Sequence, residues 1–199
     1  MSNVFLDLGT HFGQGMTHFI HRYRMDNTWL IHTFEANPTT REIFLAEHAQ
    51  NILVPFASHQ CAISNKNGTI ILHQETPPNE GPTGMGSSVI DLDKWNPWGG
   101  ALRENFVSDM EVQAVDLSEI IYNLKDSFEI DKLIIKMDIE GSEFDVLERL
   151  IETDTLKYIT EIYIEWHEHY FTNSDEMALR KQAIKQAMVD SNVIHYDWH

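Results

Sequence analysis

Residues 4–15 read Val-Phe-Leu-Asp-Leu-Gly-Thr-His-Phe-Gly-Gln-Gly, a short apolar run that gives way to glycines at 9, 13 and 15. Val4–Leu8 is nearly continuous in apolar character, the pattern of a parallel strand buried on both faces. Met16, Phe19, Ile20 and Tyr23 follow at i, i+3, i+4 and i+7, the stripe of an amphipathic helix. Trp29–Phe34 is a second strand-like run ending at Glu35. Pro38 stops it, and Thr39 with Glu42 is spaced to form a capping box for the next helix. Strand, helix, strand, helix within about 50 residues predicts an α/β fold, a doubly wound and mostly parallel sheet flanked by helices.

The later sequence repeats the pattern after an irregular middle. Gln60–Ile63 and Thr69–His73 read as strands joined by a turn at Asn65–Gly68, residues 75–88 as a loop, and 93–106, with Trp95 and Trp98, as irregular. Glu111–Val115 is strand-like, and Asp116 with Glu119 caps a helix carrying Leu117, Ile120, Ile121 and Leu124 at helical spacing. Lys132–Asp138 is a buried strand followed by a helix through Leu150. Ile159–Trp166 reads as another strand, Ser174 as the cap of a helix to about Val189, and Asn192–Trp198 as a final strand.

The chain has 199 residues, 42% of them hydrophobic and 11% aromatic. That is enough for one domain with its own core, taken as residues 1–199, and it excludes disorder over most of the length. No apolar run approaches the ~18–20 residues of a membrane-spanning helix, and the N-terminus shows no signal-peptide pattern. Cys61 is the only cysteine, so no intrachain disulfide forms; a reducing, cytoplasmic location is expected. The formal charge is −17. Residues 1–100 carry five basic and nine acidic side chains, residues 101–199 nine and 22. Nucleic acid and anionic membranes are therefore excluded as expected partners, and neutral or cationic ligands are favoured.

Four segments carry chemistry. The glycine-rich turn Asp7–Gly15 lets backbone N–H groups approach a ligand at the positive end of a helix. Its GxxxGxG spacing departs from the GxGxxG dinucleotide fingerprint, which disfavours a nicotinamide cofactor; the plain alternative is a tight turn with glycines kept for packing. Asp7 suits a ligand with a cationic group. Glu35, at the end of the second strand and 20 residues after Gly15, stands where an acid reaches ribose hydroxyls, unless it is a solvated surface acid. Lys136–Glu143 places Asp138 at a strand end with Glu140 and Glu143 behind it, able to bind a cation, coordinate a metal or favour a helix N-terminus. In Glu165–His169, if the strand continues, Glu165, His167 and His169 share one face as a metal site or a base held by a carboxylate.

FLDLGTHFG, FEANP, CAISNKNG, VQAVDLSEII and IIKMDIEGSEFDVLERL, in that order between about residues 4 and 168, resemble the FkbM-type methyltransferases. That family is a branch of the Rossmann-like class I, S-adenosylmethionine-dependent methyltransferases. The resemblance implies that Asp7, Gly9 and Gly13 line the methionine part of the cofactor, with Thr10 and His11 in the same turn. It implies that Glu35 holds the ribose, beside Ala36 and Asn37, and that Ala62, Ile63 and Ser64 flank the adenine. Asp138 would face the amino end of the cofactor or the acceptor, and Glu165 and His167 fall where the family carries an acid and often a His. Only one strand follows the fifth, where this fold usually has an antiparallel pair.

The expected activity is methylation of a hydroxyl on a sugar or small metabolite, with S-adenosylmethionine as cofactor. A nicotinamide oxidoreductase and a non-catalytic cofactor-binding module are the alternatives, and a homodimer is compatible with the sequence. Hydroxyl methylation sheds a proton, so a group with a pKa near 7 serves best as base. His167, next to Glu165, is the expected base, with Asp138 after it. Asp138, Glu140, Glu165 and His167 could converge on a divalent ion, but no metal requirement is expected.

Overall fold

The computed structural model describes residues 2–75, 86–94 and 106–199. Most of the 75–88 loop, and Trp95 and Trp98, lie outside the described residues. In chain order the elements are β1 (Ser2–Leu8), α1 (Gln14–Tyr23), β2 (Trp29–Glu35), α2 (Pro38–Ile43), β3 (Ala57–Gln60), β4 (Ala62–Ser64) and β5 (Gly68–Glu75). Then come β6 (Phe106–Asp116), α3 (Leu117–Ser127), β7 (Ile130–Met137), α4 (Glu143–Glu152), β8 (Glu161–Ile164), α5 (Ser174–Asp190) and β9 (Ile194–Asp197).

Six strands form a parallel sheet in the order β3-β2-β1-β7-β8-β9. The continuous apolar runs of β1 and β7 are explained by helices on both sheet faces. Val4, Leu6 and Leu8 pack in one cluster with Ile121 of α3, Phe144 and Leu147 of α4, and Ile184 of α5. Phe5 belongs to the opposite cluster, with Met16 and Phe19 of α1 and Ile134 of β7. The sheet is thus the doubly wound one expected, of Rossmann-like type. Its order reverses between β1 and β7, so the crevice beyond their C-terminal ends is the natural ligand position. No helix among the described residues is long and apolar enough to cross a membrane.

Several local expectations change. The run Gln60–Ile63 is broken at buried Cys61: β3 stays in the main sheet, while β4 joins a second sheet of order β4-β6-β5. β4 and β5 do not pair with each other; Ala62 and Gly68 both register with Ala114, on opposite edges of β6. β6 is long enough to give each short strand a full ladder. The cap of α2 is Asn37, whose side chain accepts from the Thr39 and Thr40 amides, with Pro38 as the first helical residue. Asn followed by Pro suits a helix start because Pro has no amide to satisfy there, and it overrides the Thr39–Glu42 pattern. Ser174 is the first residue of α5 rather than its cap. β8 ends at Ile164, opposite the last residue of β7, so Glu165, His167 and His169 do not share a strand face. The last strand, β9, runs parallel to β8.

The loops leaving β1 and β7 touch. Gly9 has φ +73, and a Cβ there would stand 1.7 Å from the Asp138 carbonyl oxygen. Asp138 in turn donates its amide to Leu8 O at 3.1 Å. A side chain at position 9 therefore meets both left-handed strain and a backbone collision. Gly9→Ala is expected to cost more than about 2 kcal/mol in urea unfolding; a loss below about 0.5 kcal/mol contradicts this crossing.

Candidate active site

The site is assembled where β1, β2 and β7 end. The Gly9 and Thr10 amides both donate to Phe34 O, at 3.0 and 3.1 Å. The Thr10 hydroxyl accepts from the Phe34 amide at 3.1 Å and donates to Asp7 O at 3.0 Å. This stitches the glycine-rich turn to the end of β2. Glu35 then receives one backbone amide on each oxygen, His11 N on Oε2 and Asn37 N on Oε1, both at 2.9 Å. Its carboxylate is fixed in orientation before any ligand arrives, and each oxygen keeps further acceptor capacity. Burial raises the Glu35 pKa, while the Asn37 and His11 amides oppose that shift.

Of the residues expected at the cofactor, Gly9, His11, Glu35, Ala36, Ala62 and Ile63 line one cleft, and Asp138 joins them. Apolar walls come from Phe34, Leu72 and Val89. Thr10 and Asn37 lie buried behind the wall and support it through the bonds above. Gly13 is also behind it: with φ +83 it starts α1, and its Cα hydrogens face the Phe44 ring, which a Cβ would meet at 2.4 Å. Ser64 instead lines a separate groove with Asn65 and Lys66. The family resemblance put all of these near the ligand, but a shared motif does not say which of its residues face inward.

Asp7 does not reach the cleft. It is fully buried on the α1 side of the sheet, with no hydrogen-bond partner for either carboxylate oxygen among the described residues. Its cross-strand neighbour in the β1–β7 register is Lys136, whose Nζ stands 3.7 Å from Asp7 Oδ1. The same ammonium donates to Gly9 O at 2.7 Å and to Asp138 Oδ2 at 3.1 Å. Gly15 leaves room for it, since a Cβ there would lie 3.2 Å from Lys136 Cε. The cation expected next to Asp7 is thus one of the chain's own side chains. Burial pushes the Asp7 carboxyl up to about 6, with Lys136 pulling the other way. Burial would lower the Lys136 pKa, but Asp7 and Asp138 outweigh it and raise it.

On the other side of Asp138 lies His167, with 3% of its side chain exposed. Its Nδ1 is 3.0 Å from Glu143 Oε1. That same oxygen accepts from the Ile139 and Gly141 amides, at 3.0 and 3.2 Å. Nε2 faces Glu140 Oε2 at 3.4 Å and oxygens of Asp138 and Glu165 at 4.0 Å each. The acid that orients the ring is therefore Glu143, not Glu165 as expected. Burial alone would lower the imidazole pKa, but Glu143, then Glu140 and Asp138, carry it up to about 10. These carboxylates favour the protonated ring, and His167 stands behind the residues that line the cleft rather than among them. Glu140, with φ +52, lines the cleft; burial pushes its carboxyl up to about 8, against the pull of His167.

The Asp7–Lys136 pair yields two expectations. Lys136→Met strands a buried carboxylate and should cost about 3–5 kcal/mol, whereas adding Asp7→Asn should recover at least about 1 kcal/mol of it. Strict additivity in denaturant unfolding contradicts the pairing. Asp7 has a folded-state pKa near 6 against an ordinary 3.8, so its contribution to stability is full below that ordinary value and lost as pH rises through about 6. Asp7→Asn should therefore gain on the wild type in urea midpoint as pH rises from about 4 to about 7; a pH-independent difference contradicts the burial.

The description of the methyltransferase FkbM domain matches residues 7–186, from the end of β1 into α5. No curated protein and no solved structure matches the chain. The matched span includes the glycine-rich turn, Glu35, Lys136, Asp138 and the Glu143–His167 contact. With nearly its whole length covered, the chain belongs to the FkbM-domain family of methyltransferases.

Proposed function

We propose that this methyltransferase binds S-adenosylmethionine in the cleft beyond β1 and β2 and transfers its methyl group to a hydroxyl of a sugar or small metabolite. The observation that carries the reading is Glu35, an acid at the end of β2 with both oxygens preset by the His11 and Asn37 amides. Two adjacent ribose hydroxyls match a carboxylate held in this way. The adenine fits the apolar wall of Phe34, Ala62, Ile63 and Leu72, and the methionine end lies toward Gly9 and Asp138. The cofactor supplies an electrophilic methyl on a sulfonium centre. The protein supplies alignment of the acceptor oxygen with that methyl, the largest contribution such a site can make, and an acidic surrounding that favours a cation. Asp138 is a cleft carboxylate within 4.0 Å of both Lys136 and His167, and it faces the acceptor in this arrangement.

Each ribose bond to a charged acceptor contributes about 1.5–3 kcal/mol. Glu35→Ala should therefore weaken S-adenosylmethionine binding about 10–100-fold in calorimetry, and NAD should give no thermal stabilisation of the wild type. An unchanged affinity in folded Glu35→Ala protein overturns the assignment.

A further inference from the structure

We infer that Asp138, Glu140 and His167 form a divalent-cation site at the floor of the cleft. One donor atom from each of the three lies within 4.8 Å of the others, and His167 Nε2 is 3.4 Å from Glu140 Oε2 and 4.0 Å from Asp138 Oδ1. Two ligands bound at about 2.1 Å to one ion can stand at most about 4.2 Å apart, so closure needs side-chain shifts of only a few tenths of an ångström.

Three further observations make this more than a gathering of acids. Glu140 Oε2, the oxygen facing Nε2, is shut off from water and has no hydrogen-bond partner among the described residues. His167 has its Nδ1 engaged by Glu143 Oε1, itself pinned by two backbone amides. That is how a ligating imidazole is held by a carboxylate behind it, with Nε2 directed at the ion. Finally, Nε2 meets three carboxylates within 4.0 Å, a surrounding that holds a cation, either a proton on Nε2 or a metal ion in its place. Asp138 and Glu140 both line the cleft, so an ion has a route in.

One imidazole nitrogen with two carboxylates suits a first-row ion of mixed N/O preference, such as Mn²⁺, better than Ca²⁺, which takes oxygen only. This goes beyond the methyl-transfer reading and stands without it. If that reading holds, an ion here would lower the pKa of a bound hydroxyl.

The test uses chelator-stripped full-length protein without cofactor, titrated with Mn²⁺ and followed by loss of the free-ion electron paramagnetic resonance signal. One site per chain is expected, accompanied by a rise in melting temperature. Glu140→Gln and, as a separate variant, His167→Asn should each weaken binding by at least about tenfold, and Glu143→Gln, acting through the ring, by a comparable factor. Circular dichroism identifies variants that remain folded. The inference is overturned by absence of Mn²⁺ binding up to millimolar concentration, or by binding that folded Glu140→Gln protein retains in full.

Discussion

The Lys136 ammonium, sunk between the ends of β1 and β7, is the contact on which the rest of the site depends. It joins the carbonyl of Gly9, the carboxylate of Asp138 and, at longer range, the carboxylate of Asp7. An ammonium taken out of water is costly unless paired. Here the pairing is supplied by strand register, which sets Lys136 opposite Asp7 on the face that α1 covers. With the lysine in place, the turn after β1 is tied to the loop after β7, and Gly9 packs directly on the Asp138 carbonyl. That crossing closes one end of the cleft and brings Asp138 to its wall.

Asp138 stands between two buried basic groups of different kinds, Lys136 on one side and His167 on the other. Acids outnumber them: Asp7, Glu35, Asp138, Glu140, Glu143 and Glu165 all bear on the same sheet edge. The upward shifts at Asp7, Glu35, Glu140 and Glu165 share burial as their main cause, with neighbouring carboxylates adding to it. Such an edge gains from any positive charge that enters, which is the electrostatic basis both for the proposed sulfonium cofactor and for the proposed cation.

Much of this was legible in the sequence where the signal was local. The apolar run of β1, the stripe of α1 and the position of Glu35 after the glycines predicted the sheet, its winding and the place of Glu35 at the end of β2. Contacts set by register or by distant loops were not legible. Lys136 was visible as a charge inside the otherwise apolar run Leu133–Met137, but only the pairing of β1 with β7 names Asp7 as its partner. Glu143 read as a helix-terminus acid, and it does begin α4; its contact with His167, 24 residues away, arises because the chain turns back after β8. The break between β3 and β4 at Cys61 left no mark, because both sides of it are strand-like.

The central claim is that the edge formed by β1, β2 and β7 is a nucleoside-binding site organised around Glu35. A crystal structure of the protein with S-adenosylhomocysteine tests it most directly. The account predicts the ribose hydroxyls within hydrogen-bond distance of the Glu35 carboxylate and the adenine against Ala62 and Ile63. A nucleoside seated elsewhere, or a Glu35 carboxylate turned from the ribose with its His11 and Asn37 amide bonds broken, would contradict it.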